Sequence, residues 1–320
     1  MLQALLGQGR VLLTGPTGPD GDSIGACLAL QRVLRARGVD ASVAGTAPPR
    51  FAWLPGAGEM LSDEALAERP PEEAVVILDG DRHRLTPEVD RRFAAAPVRA
   101  IIDHHRSTTV DGYTVAWLAP EAESTCGMLL RALRGWDVPL DAEMATLLYT
   151  GLVFDTGGFR HSNTQPDTHL LAAELLSTGI DHAQITVRTL CERSPQALAA
   201  MGRILAGAEQ RPATGLCLGR VPLALQRELR LAEGDLEGVV DALVNTTGTR
   251  VAALLVERAD GTVKYSLRSR GEVDVARVAR ALHPTGGGHA RAAGAVVDGP
   301  IARAEHQLEQ ILVGSEVNPS

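Results

Sequence analysis

Four separate segments of this sequence end in side chains that can hold a cation or move a proton. Asp103-His104-His105 follows an apolar run at residues 98–102, and Asp79 closes another at residues 74–78. Asp20 and Asp22 lie in a Gly- and Pro-rich loop after Val11-Leu12-Leu13, and Asp155 ends a mostly apolar helical stretch at residues 142–154. Carboxylates and neutral imidazoles are ligands for divalent ions, and a carboxylate beside a histidine fixes its tautomer. Each segment alone has a plainer reading: histidines on a solvated loop, a polar turn with a helix cap, or an incidental acid before a glycine C-cap. Taken together, Asp20 and Asp22, Asp79, His104 and His105, and Asp155 are metal-competent, and five such carboxylate or imidazole ligands with Asp79 central would suit two divalent ions about 3.5–4 Å apart. Such a pair binds phosphoryl oxygens, lowers the pKa of a bridging water and holds it in line for phosphate-ester hydrolysis. Mixed Asp and His ligation suits Mn²⁺, with Co²⁺ or Mg²⁺ as alternatives.

The elements that must bring these residues together alternate between strand and helix. Residues 11–13, 41–44, 74–78, 98–102 and 114–117 read as strands. Helices are expected from Ser23 to a stop at Gly38, near Ala65, and over 87–95, 124–133, 142–154 and 167–176. That alternation predicts an α/β fold with a parallel, doubly wound sheet, whose loops converge at the carboxyl ends of the strands. Helical patterns at 182–190 and 195–209 carry no accompanying strand. A smaller, mixed-sheet α/β region follows. Its strands are expected at 215–218, 250–256 and 262–267, the last two joined by the hairpin signal Ala259-Asp260-Gly261. Its helices are expected at 235–243, 273–282 and 301–312, with a frayed tail at 316–320. Thr285-Gly286-Gly287-Gly288-His289 would let backbone N–H groups approach an anion, and Ser266-Leu267-Arg268-Ser269-Arg270 adds positive charge of the kind that clamps phosphate. The expected division is 1–185, a helical linker at 186–210, and 211–320.

Composition narrows the partners. The 320 residues carry a net charge of −8 and only 3% aromatic residues, which argues against a basic track or stacking platform for long nucleic acid. A small phosphorylated molecule remains open. No apolar run reaches the ~18 residues of a membrane-spanning helix, and Met1-Leu2-Gln3-Ala4 lacks a basic leader, so a cytoplasmic protein without a membrane partner is expected. Cys27, Cys126, Cys191 and Cys217 are far apart and read as reduced packing residues.

Five motifs occur in order: Pro19-Asp20-Gly21-Asp22-Ser23-Ile24-Gly25, Leu78-Asp79, Asp103-His104-His105, Phe154-Asp155-Thr156-Gly157 and Gly286-Gly287-Gly288-His289. With them the chain resembles the DHH/DHHA1 phosphoesterase family, and within it the nanoRNase and pAp-phosphatase branch. The resemblance implies an N-terminal DHH domain, a linker, and a smaller DHHA1 domain closing over the cleft. It implies a pair of Mn²⁺ ions and hydrolysis of short oligonucleotides (nanoRNA) or pAp, by an enzyme that could be a homodimer. By matching positions, Asp20 would bind one ion, Asp22, His104 and Asp155 the other, and Asp79 both. His105 would act at the scissile phosphate, with Asp103 behind the ligands. Arg268, Ser269, Gly286, Gly287, Gly288 and His289 would bind substrate, and Arg84 would approach phosphate. Alternatives are a cyclic-dinucleotide or pApA phosphodiesterase, a pyrophosphatase, and a weakly active or non-catalytic nucleotide-binding relative. One position departs from the family. A histidine usually stands three residues before the first motif's proline, and here Pro16 stands there; Gly18 likewise replaces a usual asparagine. One ion is therefore expected to bind firmly near Asp22, His104 and Asp155, and the other only at high Mn²⁺, with His83 a candidate substitute ligand.

Overall fold

The computed structural model describes residues 2–315 apart from 107, 137 and 233, so the tail expected at 316–320 lies outside the described residues. The chain divides into two compact units, residues 1–192 and 193–320. In the first, a short helix α1 (Leu2–Leu6) leads into β1 (Arg10–Thr14), α2 (Gly21–Ala36), β2 (Asp40–Ala44), α3 (Asp63–Ala67) and β3 (Ala74–Leu78). Then come α4 (Pro87–Ala95), β4 (Val98–Asp103), β5 (Val115–Leu118), α5 (Thr125–Trp136), α6 (Ala142–Asp155), α7 (Pro166–Leu176) and α8 (His182–Thr186). The five strands form a wholly parallel sheet in the order β2-β1-β3-β4-β5, the doubly wound arrangement expected from the alternation. The chain runs outward from β1 to β2 and then returns across β1 to β3. This reversal makes the β1/β3 edge the topological switch point, where ligand crevices form.

Continuous apolar runs become the central strands because both faces of the sheet are covered. In β3, Ala74, Val76 and Leu78 pack into one core with α2, α5 and α6, while Val75 and Ile77 pack into another with Leu66, Val89 and Phe93. Fully burying each of the valine, leucine and isoleucine side chains stabilises the fold by about 1.5–3 kcal/mol.

The second unit holds α9 (Pro195–Ala206), β6 (Glu209–Arg211), β7 (Leu216–Val221), α10 (Leu223–Leu229), α11 (Val239–Val244), β8 (Val251–Glu257) and β9 (Thr262–Ser269). It continues through α12 (Val275–Leu282), β10 (Gly287–His289), β11 (Ala292–Asp298) and α13 (Ile301–Ser315). Its mixed sheet has the order β10-β11-β9-β8-β7-β6, in which β7 and β8 are parallel and the other pairs antiparallel. Buried Tyr265 anchors one face by donating its hydroxyl hydrogen to the Ala304 carbonyl at 2.8 Å.

Three local expectations change. The helix expected at 235–243 begins only at Val239, because Gly238 adopts a left-handed φ of 78° that a helix cannot propagate. The pattern at 182–190 is helical but widens after Thr186 into a π-helical turn, Val187–Cys191. Gly287–His289 is a short edge strand rather than an open turn. Among the described residues, no helix is long and apolar enough to cross a membrane.

Candidate metal centre

Asp79 is the first residue beyond β3, and its φ of 61° places it in the left-handed region. Asp tolerates that region better than most residues, but the conformation still costs on the order of 1–3 kcal/mol, which the surrounding fold must offset. Its N–H donates to the Ile102 carbonyl at 3.0 Å, which pins the turn to β4. Asp103 ends β4, with His104 and His105 directly after it, and Asp155 is the last residue of α6. Asp22 lies buried in the first turn of α2.

The support behind these side chains comes from elsewhere in the chain. Both oxygens of Asp22 accept backbone N–H groups from the start of α5, from Thr125 at 2.7 Å and Cys126 at 2.9 Å. A helix N-terminus favours an anion at that place. The Thr125 hydroxyl donates to Asp79 Oδ1 at 3.2 Å, so one residue holds two carboxylates. Asn163 Nδ2 donates to the carbonyls of Glu123 and Asp155 at 3.0 and 3.2 Å, tying the end of α6 to the loop before α5. Gly151 allows α6 to lie against Asp22, since a Cβ there would sit 2.4 Å from Asp22 Oδ1. Sequence reasoning missed Thr125, Asn163 and Gly151. The one signal was a glycine inside an otherwise apolar helical pattern.

Donor atoms of Asp22, Asp79, His104 and Asp155 lie within 4.8 Å of one another. His104 Nδ1 donates to the Ala122 carbonyl at 3.2 Å, which turns Nε2 inward, 2.9 Å from Asp155 Oδ2 and 3.3 Å from Asp79 Oδ1. That buried Nε2 makes no hydrogen bond. Three carboxylates and an imidazole lone pair thus converge on one point, and this set fits a divalent cation. The electrostatics agree. Burial, then repulsion from Asp79, pushes Asp22 up to about 8. Burial and Asp22 push Asp155 up to about 7, and burial and Asp20 raise Asp79. Burial alone would lower His104, but Asp155 and Asp79 outweigh it and push it up to about 12. Without a metal, protons must supply the positive charge that this cluster lacks.

His105 is held differently. Its Nδ1 donates to Asp103 Oδ1 at 2.7 Å, and the Thr108 hydroxyl donates to the other Asp103 oxygen. Burial would raise Asp103, yet the hydrogen bonds and charge of His105 and the Thr108 hydroxyl hold it below its ordinary value. Burial would lower His105, and its partner Asp103 raises it instead.

Asp20 caps the start of α2. Its Oδ1 accepts the N–H groups of Asp22 and Ser23, both at 3.0 Å, and it joins neither group of clustered donors. His83 is exposed, lies 3.5 Å from Asp81, and also stays outside those groups. Exposed Arg84 bonds back to the first loop: its carbonyl accepts Thr17 N–H at 2.7 Å, and its guanidinium donates to the Thr17 carbonyl at 3.4 Å.

In the second unit, Arg268 and His289 both lie opposite Ala292 across antiparallel pairs, which places them on one face of the sheet. Arg268 donates to Asp241 at 3.0 Å, and buried Ser269 donates its hydroxyl to the Val273 and Ala290 carbonyls. Packing explains two of the glycines: a Cβ on Gly286 would lie 2.1 Å from the Ala279 carbonyl, and Gly288 has a φ of 134°. A Cβ on Gly287 would meet nothing within 4 Å.

A parallel sheet with Asp79 and Asp-His-His at the carboxyl ends of β3 and β4, joined to a mixed-sheet unit, suits a two-domain phosphoesterase, and the family comparisons agree. Residues 10–152 match the DHH family, N-terminal domain, and residues 220–313 match the DHHA1 domain. The chain belongs to the DHH/DHHA1 phosphoesterase family. It is 33% identical over 295 residues to the bifunctional oligoribonuclease and PAP phosphatase NrnA of Thermus thermophilus, covering 91% of this chain and 85% of that protein. An exopolyphosphatase-related protein from Bacteroides fragilis, 26% identical, has a crystal structure that matches with a TM-score of 0.89 over 98% of this chain and 94% of that one. The cyclic-di-AMP phosphodiesterase GdpP of Geobacillus thermodenitrificans is 26% identical over 95% of this chain but only 47% of its own length.

Proposed function

We propose that this protein is a divalent-metal-dependent phosphoesterase that hydrolyses very short oligonucleotides and pAp. The observation that carries the reading is the convergence of Asp22, Asp79, His104 and Asp155 beside the Asp103–His105 pair. A divalent ion in this cluster, Mn²⁺ by the mixed oxygen and nitrogen donors, would polarise the phosphoryl group and supply an activated water. The chain's own residues do the rest. Asp103 fixes His105 through Nδ1 and keeps it cationic beyond the usual imidazole range, so its other ring nitrogen is suited to stabilise charge at the phosphate and to protonate a leaving oxygen. Thr125 and the start of α5 hold the carboxylates of Asp22 and Asp79 in place, and Asn163 holds the backbone of Asp155. Arg84 is assigned to phosphate, and Arg268, Ser269 and the Gly286–His289 segment to nucleotide binding. Under this reading, residues 1–185 form the catalytic domain, 186–210 the linker and 211–320 the substrate-binding domain.

The 33% identity to a bifunctional oligoribonuclease and PAP phosphatase supports these substrates. A second reading, cyclic-dinucleotide or pApA hydrolysis, draws on the likeness to the cyclic-di-AMP phosphodiesterase. Turnover of di- to pentanucleotides, pAp, cyclic di-AMP and pyrophosphate, measured side by side with Mn²⁺, tests both. Cleavage of the short oligonucleotides and pAp is expected. Turnover of cyclic di-AMP alone would move the assignment to the second reading, and turnover of pyrophosphate alone would defeat both.

A further inference from the structure

Among the described residues, two groups of metal-competent side chains bring their donors within 4.8 Å of one another: Asp22-Asp79-His104-Asp155, and Asp79-His104-His105. They do not make two sites. His104 turns only Nε2 inward, because its Nδ1 is held by Ala122, so one nitrogen would have to serve both groups. The His105 nitrogen that faces Asp79, at 3.9 Å, is the same Nδ1 that Asp103 holds at 2.7 Å. Asp20 belongs to neither group, and one of its oxygens is committed to the start of α2. Across the loop stands Pro16. It is buried, offers no side-chain donor, and packs its ring so closely on Gly80 that a Cβ there would lie 3.3 Å from the ring carbons.

We propose that this centre binds one divalent ion tightly, in the Asp22-Asp79-His104-Asp155 cage, and that Pro16 closes the place beside Asp20 where the family pattern would put a second. An ion held there by Asp20 and Asp79 alone would depend on water for the rest of its shell, and it would share Asp79 with the first. Such a site binds a first-row ion weakly. The inference rests on the phosphoesterase reading only for the presence of an ion.

The test counts ions without substrate. Metal-stripped protein is titrated with Mn²⁺ in a calorimeter. It is then loaded, dialysed, and examined by elemental analysis and electron paramagnetic resonance. One Mn²⁺ per chain with a mononuclear spectrum is expected. Two per chain with the spectrum of an exchange-coupled pair would overturn the inference while leaving the enzyme reading intact, whereas no bound ion would remove both. Asp20→Asn keeps a good helix cap, so the fold is preserved and Mn²⁺ affinity should not change. A fall of about 10–100-fold, the usual effect of removing a group that supports a metal, would overturn the assignment of Asp20. Pro16→His restores an imidazole where the family pattern has one, and it should add a second tightly held ion. A folded Pro16→His protein that still holds one ion would show that Pro16 is not what closes the place. Should that variant fail to fold, the native ion count and Asp20→Asn decide.

Discussion

Thr125 bonds to two of the clustered carboxylates through different atoms, its N–H on Asp22 and its hydroxyl on Asp79. Thr125→Val removes the hydroxyl at nearly constant shape and leaves the N–H. Mn²⁺ affinity is expected to fall about 10–100-fold, the range for a lost support behind a metal ligand, and Thr125→Ser should restore it. Calorimetric titration of both variants checks this, and native affinity in the valine variant would reduce Thr125 to a packing residue. Of the clustered side chains, Asp79, His104 and Asp155 drew notice because each stands at the end of an apolar run, and Asp22 because it follows Asp20 in a Gly- and Pro-rich loop. Thr125 did not. It touches residues 103 and 46 positions away, and nothing local marks such a pairing. Asp20 shows the opposite ambiguity, since Asp at a helix start is as good a cap as it is a ligand, and here its Oδ1 caps α2.

At the scale of elements, the centre depends on how closely α2, α5 and α6 approach. A Cβ on Gly151 would sit 2.4 Å from Asp22 Oδ1 and 2.4 Å from Cys126 Sγ, so Gly151→Ala must push α6 away from both. Overpacking of this kind typically destabilises by about 1–3 kcal/mol, and the displaced Asp22 should weaken Mn²⁺ binding as well. Thermal unfolding and metal titration check this against Gly135→Ala, where an added Cβ meets nothing within 4 Å. If the two variants behaved alike, close packing at Gly151 would not be what positions Asp22. Elements with strong punctuation were read well: Thr86 caps α4, and Pro87 opens it where expected. The start of α11 was misread because its apolar spacing continues upstream through Gly238, whose backbone conformation periodicity does not reveal.

For the whole molecule, the cluster ties stability to pH. In the metal-free fold, Asp22 is raised to about 8 and Asp155 to about 7 from an ordinary 3.8, and His104 to about 12 from 6.5. The folded chain therefore holds more protons than the unfolded one. This contribution is complete below the unfolded values and is lost as pH rises through the folded ones. With a chelator present, Tm should fall as pH rises from about 4 to about 8, and Mn²⁺ should raise Tm most at the upper end, because binding displaces those protons. A chelated protein whose Tm climbs through this window would contradict the assignment. The order of synthesis adds a consequence of where the donors lie. Asp22, Asp79 and His104 leave the ribosome first, and Asp155, on α6, comes last, 133 residues after Asp22. At about 5–20 residues per second, that leaves roughly 7–27 s in which a nascent chain carries an incomplete cage. The groups that hold His104 and Asp22, the Ala122 carbonyl and the start of α5, are made before α6. The proposed cage can therefore close only once β3, β4, α2, α5 and α6 have all been synthesised, while α7 and α8 are still to come.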